Sequence, residues 1–196
     1  MSIRAFNTLA RDITACTLCT DNLPLGPRPV FQAHPEAKIL IAGQAPGTAV
    51  HASGKPFDDP SGERLRSWLG VDADTFYNPR KIALIPMGFC YPGRGKGGDL
   101  PPRPECAEQW RERLLAHLPN IALTILLGRY AIDWHLPAEK KTPLQALTVR
   151  WQEFLPDHVA LPHPSPRNTM WLRRNPHVEA EIVPHLQQRI SSLMKG

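Results

Sequence analysis

The sequence predicts an α/β fold of three layers, α/β/α, around a central, mainly parallel four-stranded sheet. Two observations predict it. Four short apolar runs recur along the chain: Lys38-Ile39-Leu40-Ile41-Ala42, Lys81-Ile82-Ala83-Leu84-Ile85, Ile121-Ala122-Leu123-Thr124-Ile125-Leu126-Leu127 and Val159-Ala160-Leu161. Runs of this length, rich in β-branched and apolar residues, read as buried strands. Between them lie segments with apolar residues at helical spacing, and strands that alternate with helices give a parallel sheet covered on both faces. The chain of 196 residues is long enough for one such domain, expected to span 1–196, and it shows no internal repeat.

Taken in order, residues 2–15 read as a helix, with Ile3, Phe6, Leu9, Ala10 and Ile13 on one face. It runs into Cys16-Thr17-Leu18-Cys19. A loop with Pro24, Pro27, Pro29 and Pro35 follows, then the first strand, which breaks into Gly43-Gln44-Ala45-Pro46-Gly47. Gly43 and Gly47 allow a sharp turn and close approach to a ligand, and Pro46 stiffens it. A loop at the carboxyl end of a strand is where open α/β sheets bind ligands. After Gly54-Lys55-Pro56-Phe57, Ser61 is expected to cap a helix that Gly70 stops. The second strand leads to a basic, Gly-rich stretch from Gly88 to Asp99, expected to be a mobile loop. Pro104 opens a helix carrying Cys106, Trp110 and Leu114. The third strand is followed by short helices near Arg129–His135 and Pro143–Trp151. The fourth delivers His163-Pro164-Ser165-Pro166. A basic loop over Arg167–Asn175 and a last helix to about Met194 complete the chain.

Net charge is +5, a mild pointer to a polyanionic partner. No apolar run approaches the ~20 residues that span a bilayer, and Met1–Phe6 lacks signal-peptide architecture. The expectation is a cytoplasmic protein with no membrane partner. The 4 cysteines, Cys16, Cys19, Cys90 and Cys106, sit at element ends or in loops rather than inside apolar runs. In the cytosol such a set reads as one four-thiolate site rather than as disulfides. Four thiolates hold zinc or a [4Fe–4S] cluster, and spacing alone does not choose between them.

These motifs resemble those of the uracil-DNA glycosylase superfamily, nearest its iron–sulfur branch (family 4). Cys16, Cys19, Cys90 and Cys106 match that branch's two cysteine pairs. Gly43-Gln44-Ala45-Pro46-Gly47 matches its Gly-Glu-Ala-Pro-Gly motif. Gly54-Lys55-Pro56-Phe57 matches Gly-Arg-Pro-Phe, and Cys90-Tyr91-Pro92-Gly93 loosely matches Cys-Arg-Pro-Pro-Gly. His163-Pro164-Ser165-Pro166-Arg167-Asn168 is similar to the second motif, and closer still to that of the single-strand-selective branch. The resemblance runs from about Ala15 to Arg174. Two positions depart from it. Gln44 stands where family 4 has an acid, and Pro86 stands where it has the Asn that reads the uracil edge. The resemblance therefore carries fold, cluster and DNA binding further than it carries uracil specificity.

The resemblance implies a monomeric DNA repair glycosylase that hydrolyses the N-glycosidic bond of uracil or a related deaminated base. Phe57 would stack on the flipped base, with Gly43, Ala45 and Gly47 framing it. His163 would donate to the departing base anion. Gln44 would orient the attacking water, and Asp58 or Asp59 could accept its proton. Ser165, Arg167, Asn168 and Arg173 would grip DNA phosphates, with Arg94, Lys96 and Arg174 adding basic surface, and Met170, Trp171 or Leu172 would wedge into the gap. The four cysteines would hold a [4Fe–4S] cluster, with zinc the alternative occupant. Two competing readings follow from the departures and from the thiolate ambiguity. One is a non-catalytic iron–sulfur protein that binds nucleic acid on a glycosylase scaffold. The other is a four-cysteine zinc protein with an unrelated role.

Overall fold

The computed structural model describes residues 2–195. Helix α1 (Ile3–Thr14) is capped by the Ser2 hydroxyl, which accepts from Ala5 N. Strand β1 (Ile39–Ala42) follows the proline-rich loop, then α2 (Thr48–Ser53), α3 (Pro60–Leu69) and α4 (Ala73–Phe76). Strand β2 (Ile82–Leu84) precedes a hairpin of β3 (Arg94–Gly95) and β4 (Gly98–Asp99). Next, α5 (Pro104–Cys106), a π-helical turn (Ala107–Arg111) and α6 (Glu112–Leu115) run on as one helix. Strand β5 (Leu123–Leu127), α7 (Arg129–His135), α8 (Leu144–Val149) and β6 (His158–Leu161) lead to α9 (Thr169–Arg174) and α10 (Val183–Lys195).

The main sheet has the order β2-β1-β5-β6, and every pair in it is parallel. Side chains alternate across it, as period 2 requires. One face sends Ile39, Ile41, Leu84, Ile125 and Leu161 against Trp68 and Leu69 of α3 and Leu186 and Ile190 of α10. The other sends Leu40 and Ala83 against Phe6, Leu9 and Ile13 of α1 and Leu114 of α6. On that same side Ala42, Leu126 and Ala160 meet Ile132 of α7 and Leu147 of α8. All four strands are buried on both faces, which is why they read as continuous apolar runs rather than as alternating ones.

The chain steps from β1 outward to β2, then crosses back over β1 to β5. The strand order therefore reverses at β1, and the crevice outside the carboxyl ends of β1 and β5 is the expected ligand site. No helix among the described residues is long and apolar enough to cross a membrane.

Three local expectations are corrected. The cap of α3 is Asp59, whose side chain accepts from Gly62 N at 2.9 Å, with Pro60 in the first turn; Ser61 lies inside the helix. Arg167–Asn175 is not a loop, since a 3₁₀ turn (Pro166–Asn168) runs into α9. The Gly-rich stretch after β2 is organised as the β3–β4 hairpin, registered Arg94 to Asp99 and Gly95 to Gly98.

Candidate active site

The loop after β1, the turn ahead of α3, the β3–β4 hairpin and the loop after β6 converge on one cleft. Gly43, Gln44, Ala45 and Gly47 line one wall. A Cβ on Gly43 would lie 3.4 Å from the Phe57 ring tip, so the ring packs close beside the first residue of this loop.

Phe57 has φ 55°, the only non-glycine residue with positive φ among the described residues. That conformation is costly for a bulky side chain and persists only where the surroundings impose it. Two contacts do so here. The Tyr77 hydroxyl donates to Phe57 O at 3.3 Å. The same carbonyl lies where a Cβ on residue 62 would be, 1.8 Å from it, so only Gly62 admits it. Strain held this firmly, in a cleft, aims the Phe57 ring into the site.

His163 faces Phe57, with ring centroids 6.4 Å apart and planes inclined by 24°. Ser165 N donates to His163 Nδ1 at 3.2 Å. With Nδ1 as the acceptor, the neutral imidazole carries its proton on Nε2. Burial pushes the His163 pKa down, opposed by the charges of Asp59 and Asp99, so the ring is neutral at pH 7 and is a hydrogen-bond donor without being a cation. Its loop is braced from two sides. Asn168 Nδ2 donates to His163 O at 2.7 Å, and Arg64 of α3 donates to Ser165 O and to Thr169 Oγ1, both at 3.2 Å. Arg64 escapes sequence reading because it sits on an ordinary amphipathic helix, and only the tertiary fold brings α3 beside α9.

Gln44 Nε2 donates to Leu100 O at 3.0 Å, which ties the end of the hairpin to the wall of the cleft. Arg167 Nη1 donates to Gly97 O at 3.3 Å and ties its tip to the His163 loop. Ser165, Arg167 and Asn168 all border the cleft, as do Asp59, Arg94 and Asp99. Asp58 is exposed and is not part of the lining. Arg173 is exposed beyond it on α9, near Met170 Sδ at 3.9 Å. Leu172 is core, 5 % exposed, whereas Met170 is 56 % exposed and free to reach outward. Pro86, at the foot of the cleft, offers no side-chain donor or acceptor.

The four cysteines line a second, separate cavity, with Phe89, Arg103 and Trp110. None is in a disulfide. Trp110 Nε1 donates to Cys16 Sγ at 3.2 Å and Phe89 N to Cys106 Sγ at 3.3 Å. Two of the sulfurs, Cys16 and Cys106, thus accept an N–H, a contact suited to a thiolate, which only accepts. Burial pushes Cys106 up to about 12 and Cys90 up to about 11, so these thiols stay protonated unless a positive group displaces their protons. Among the described residues no three His, Cys, Asp or Glu side chains are drawn together closely enough to hold a single metal ion. The four thiols line this one small cavity together.

A family model for the uracil DNA glycosylase superfamily matches residues 30–187. The match takes in all four strands of the main sheet, the whole cleft, and Cys90 and Cys106; Cys16 and Cys19 precede it.

Proposed function

The chain belongs to the uracil DNA glycosylase superfamily, and from that premise we propose that it is a monomeric, single-domain DNA repair glycosylase. Its reaction is hydrolysis of the N-glycosidic bond of uracil or a related deaminated base. The observation that carries this reading is the facing pair of Phe57 and neutral His163 across the cleft.

A base inside a duplex is out of reach and must be extruded into a pocket. Stacking of the flipped base on Phe57 contributes about 1–3 kcal/mol. As the bond from sugar C1′ to the base breaks, the electron pair leaves with the base. His163 Nε2–H is a fixed donor for the oxygen that takes up that charge, and it needs no reorganisation at the moment of reaction. A neutral donor also avoids binding the ground state so tightly that the gain is lost. Ser165 N and Asn168 hold the ring and its loop in place. Arg94 and Arg167 supply positive charge at the rim for phosphates.

Pro86 favours a base other than, or in addition to, uracil. Its side chain makes no hydrogen bond, so the edge of the base is read by the backbone of the Gly43–Gly47 loop and not by an amide at this position. Cys16, Cys19, Cys90 and Cys106 would hold a [4Fe–4S] cluster, whose contribution is to brace the segment from Gly88 to Trp110. The shared cavity of the four cysteines supports one four-thiolate site, with zinc the alternative occupant. Protein purified without oxygen is expected to carry about four irons per chain; stoichiometric zinc without iron overturns the cluster.

Single-turnover excision from oligonucleotides bearing uracil, hypoxanthine, xanthine or a thymine mismatch, single-stranded and duplex, tests the function. Release of at least one base is expected. Tight DNA binding with release of none favours the second reading, a non-catalytic nucleic-acid-binding protein, for which Pro86 is the supporting feature.

A further inference from the structure

We infer that Asp99, on strand β4 of the hairpin, is the carboxylate that takes the proton of the attacking water, in place of the acid missing at Gln44. This inference rests on the glycosylase reading.

The placement comes from three observations. Asp99 borders the cleft together with the Gly43–Gly47 loop and His163. Its Oδ2 lies 3.5 Å from where a Cβ on Gly47 would sit, so the carboxylate is packed against the last glycine of that loop. Asp59, and after it Asp99, both pull against the effect of burial on the His163 ring, which puts Asp99 within electrostatic reach of it. Gln44 explains how the hairpin comes to be there. Its Nε2 is committed to Leu100 O, the residue next to Asp99. The amide that replaces an acid on the loop thus anchors the strand that supplies one.

Asp59, the other carboxylate of the cleft, is less free. It caps α3 through Gly62 N at 2.9 Å. Asp99 takes part in none of the ion pairs among the described residues. It is also exposed, so the DNA strand itself would complete its surroundings.

The bond from C1′ to the base nitrogen breaks and its electron pair leaves with the base, whose oxygen is held by His163 Nε2–H. The water oxygen bonds to C1′, and one water proton passes to Asp99. Asp99 then releases that proton, and the base anion is protonated. Products are the free base and an abasic sugar hydroxyl.

The test compares the parent, Asp99→Asn and Asp99→Glu in single-turnover excision, with DNA affinity measured in parallel. Asparagine keeps the shape but accepts no proton. A rate loss of roughly 10²-fold is expected for Asp99→Asn, with affinity within about twofold and partial recovery in Asp99→Glu. Titration of His163 by NMR gives a readout independent of activity, and its pKa should fall in Asp99→Asn. A parent that excises while Asp99→Asn keeps its rate overturns this inference and leaves the glycosylase reading standing. A parent that excises no base overturns the glycosylase reading first. An unmoved His163 titration overturns the placement of Asp99 whichever way the rates fall.

Discussion

Arg111 donates to the carbonyl of Pro86 at 3.0 Å, which joins the helix of one site to the floor of the other. The same guanidinium donates to Ile85 O at 3.1 Å and lies 2.7 Å from His135 Nε2. It is fully buried, at 0 % exposure, and stands 4.9 Å over the Trp134 ring. The π-helical turn that ends at Arg111 starts directly after Cys106. Such bulges recur at functional positions because they re-aim side chains within a helix. Here the bulge lets one helix turn a cysteine toward the thiol chamber and an arginine toward the end of β2. Burial lowers the Arg111 pKa to about 9.

Replacing Arg111 by Met should therefore destabilise the fold. The substitution relieves a buried charge, which favours it, but it strands two carbonyls and a ring nitrogen. A buried acceptor left without its donor costs about 1–3 kcal/mol, so the losses outweigh the gain, by roughly 3 kcal/mol. Denaturant unfolding of the two proteins measures this. A variant as stable as the parent would show that these carbonyls find other donors.

The sheet, its flanking helices and the loops after β1 and β6 are legible in the sequence because each follows a strong local signal. Apolar runs mark the strands, and Gly43, Gly47 and the His163-Pro164 pair mark their ends. The hairpin is not legible. Gly93, Gly95, Gly97 and Gly98 carry no periodicity, and the pairing depends on Gln44 and Arg167, which are distant in sequence. Asp99 escapes sequence reading for that reason. Ser61 competes with Asp59 for the cap of α3 because both residue types suit a cap, although Pro60 belongs in the first turn and so points to the residue before it. The α9 helix reads as loop because its basic residues outweigh a single buried position, Leu172.

Acid should weaken the protein through its buried histidines. Burial, with the nearby Arg111 charge, lowers His135 to about 3, and burial also lowers His158 and His163. Below the ordinary histidine pKa of about 6.5, the unfolded chain binds protons that the folded chain refuses. Stability is therefore fully present above about pH 6.5 and falls as pH drops toward 3. His135 alone should remove about 2 kcal/mol between pH 7 and pH 5. Unfolding midpoints at the two pH values, in the parent and in His135→Gln, measure it. Glutamine can still accept from Arg111 but does not titrate, so its pH dependence should be shallower by that amount. An equal slope in both proteins would assign the acid sensitivity elsewhere.

Gly62→Ala should disable the site from inside α3. The added methyl would fall 1.8 Å from Phe57 O, a contact that forces the Phe57 turn to move. Alanine is otherwise favoured over glycine in a helix by about 1 kcal/mol. The variant should thus separate two effects: a helix with better propensity and a displaced Phe57. Excision and DNA affinity should both fall, and melting temperature should drop despite the propensity gain. A rise in melting temperature with normal excision would mean that the strained Phe57 backbone is not needed.

His163 should carry more of the catalysis than Gln44. His163 presents a proton on Nε2 to the oxygen that gains charge, and the interaction strengthens only as the bond breaks. Gln44 accepts no proton, and its Nε2 is already spent on Leu100 O. Removing a donor to a developing oxyanion costs about 10²–10³ in rate. His163→Ala should show a loss of that size in single-turnover excision, with little change in DNA affinity. Gln44→Ala should lose less, and its loss should come through the hairpin: the anchor of Leu100 goes, Asp99 is less firmly held, and double substitution with Asp99→Asn should add little to Asp99→Asn alone. Full additivity of the Gln44 and Asp99 substitutions would separate the two residues. Loss of all excision in Gln44→Ala with a near-parent rate in His163→Ala would reverse the roles of Gln44 and His163.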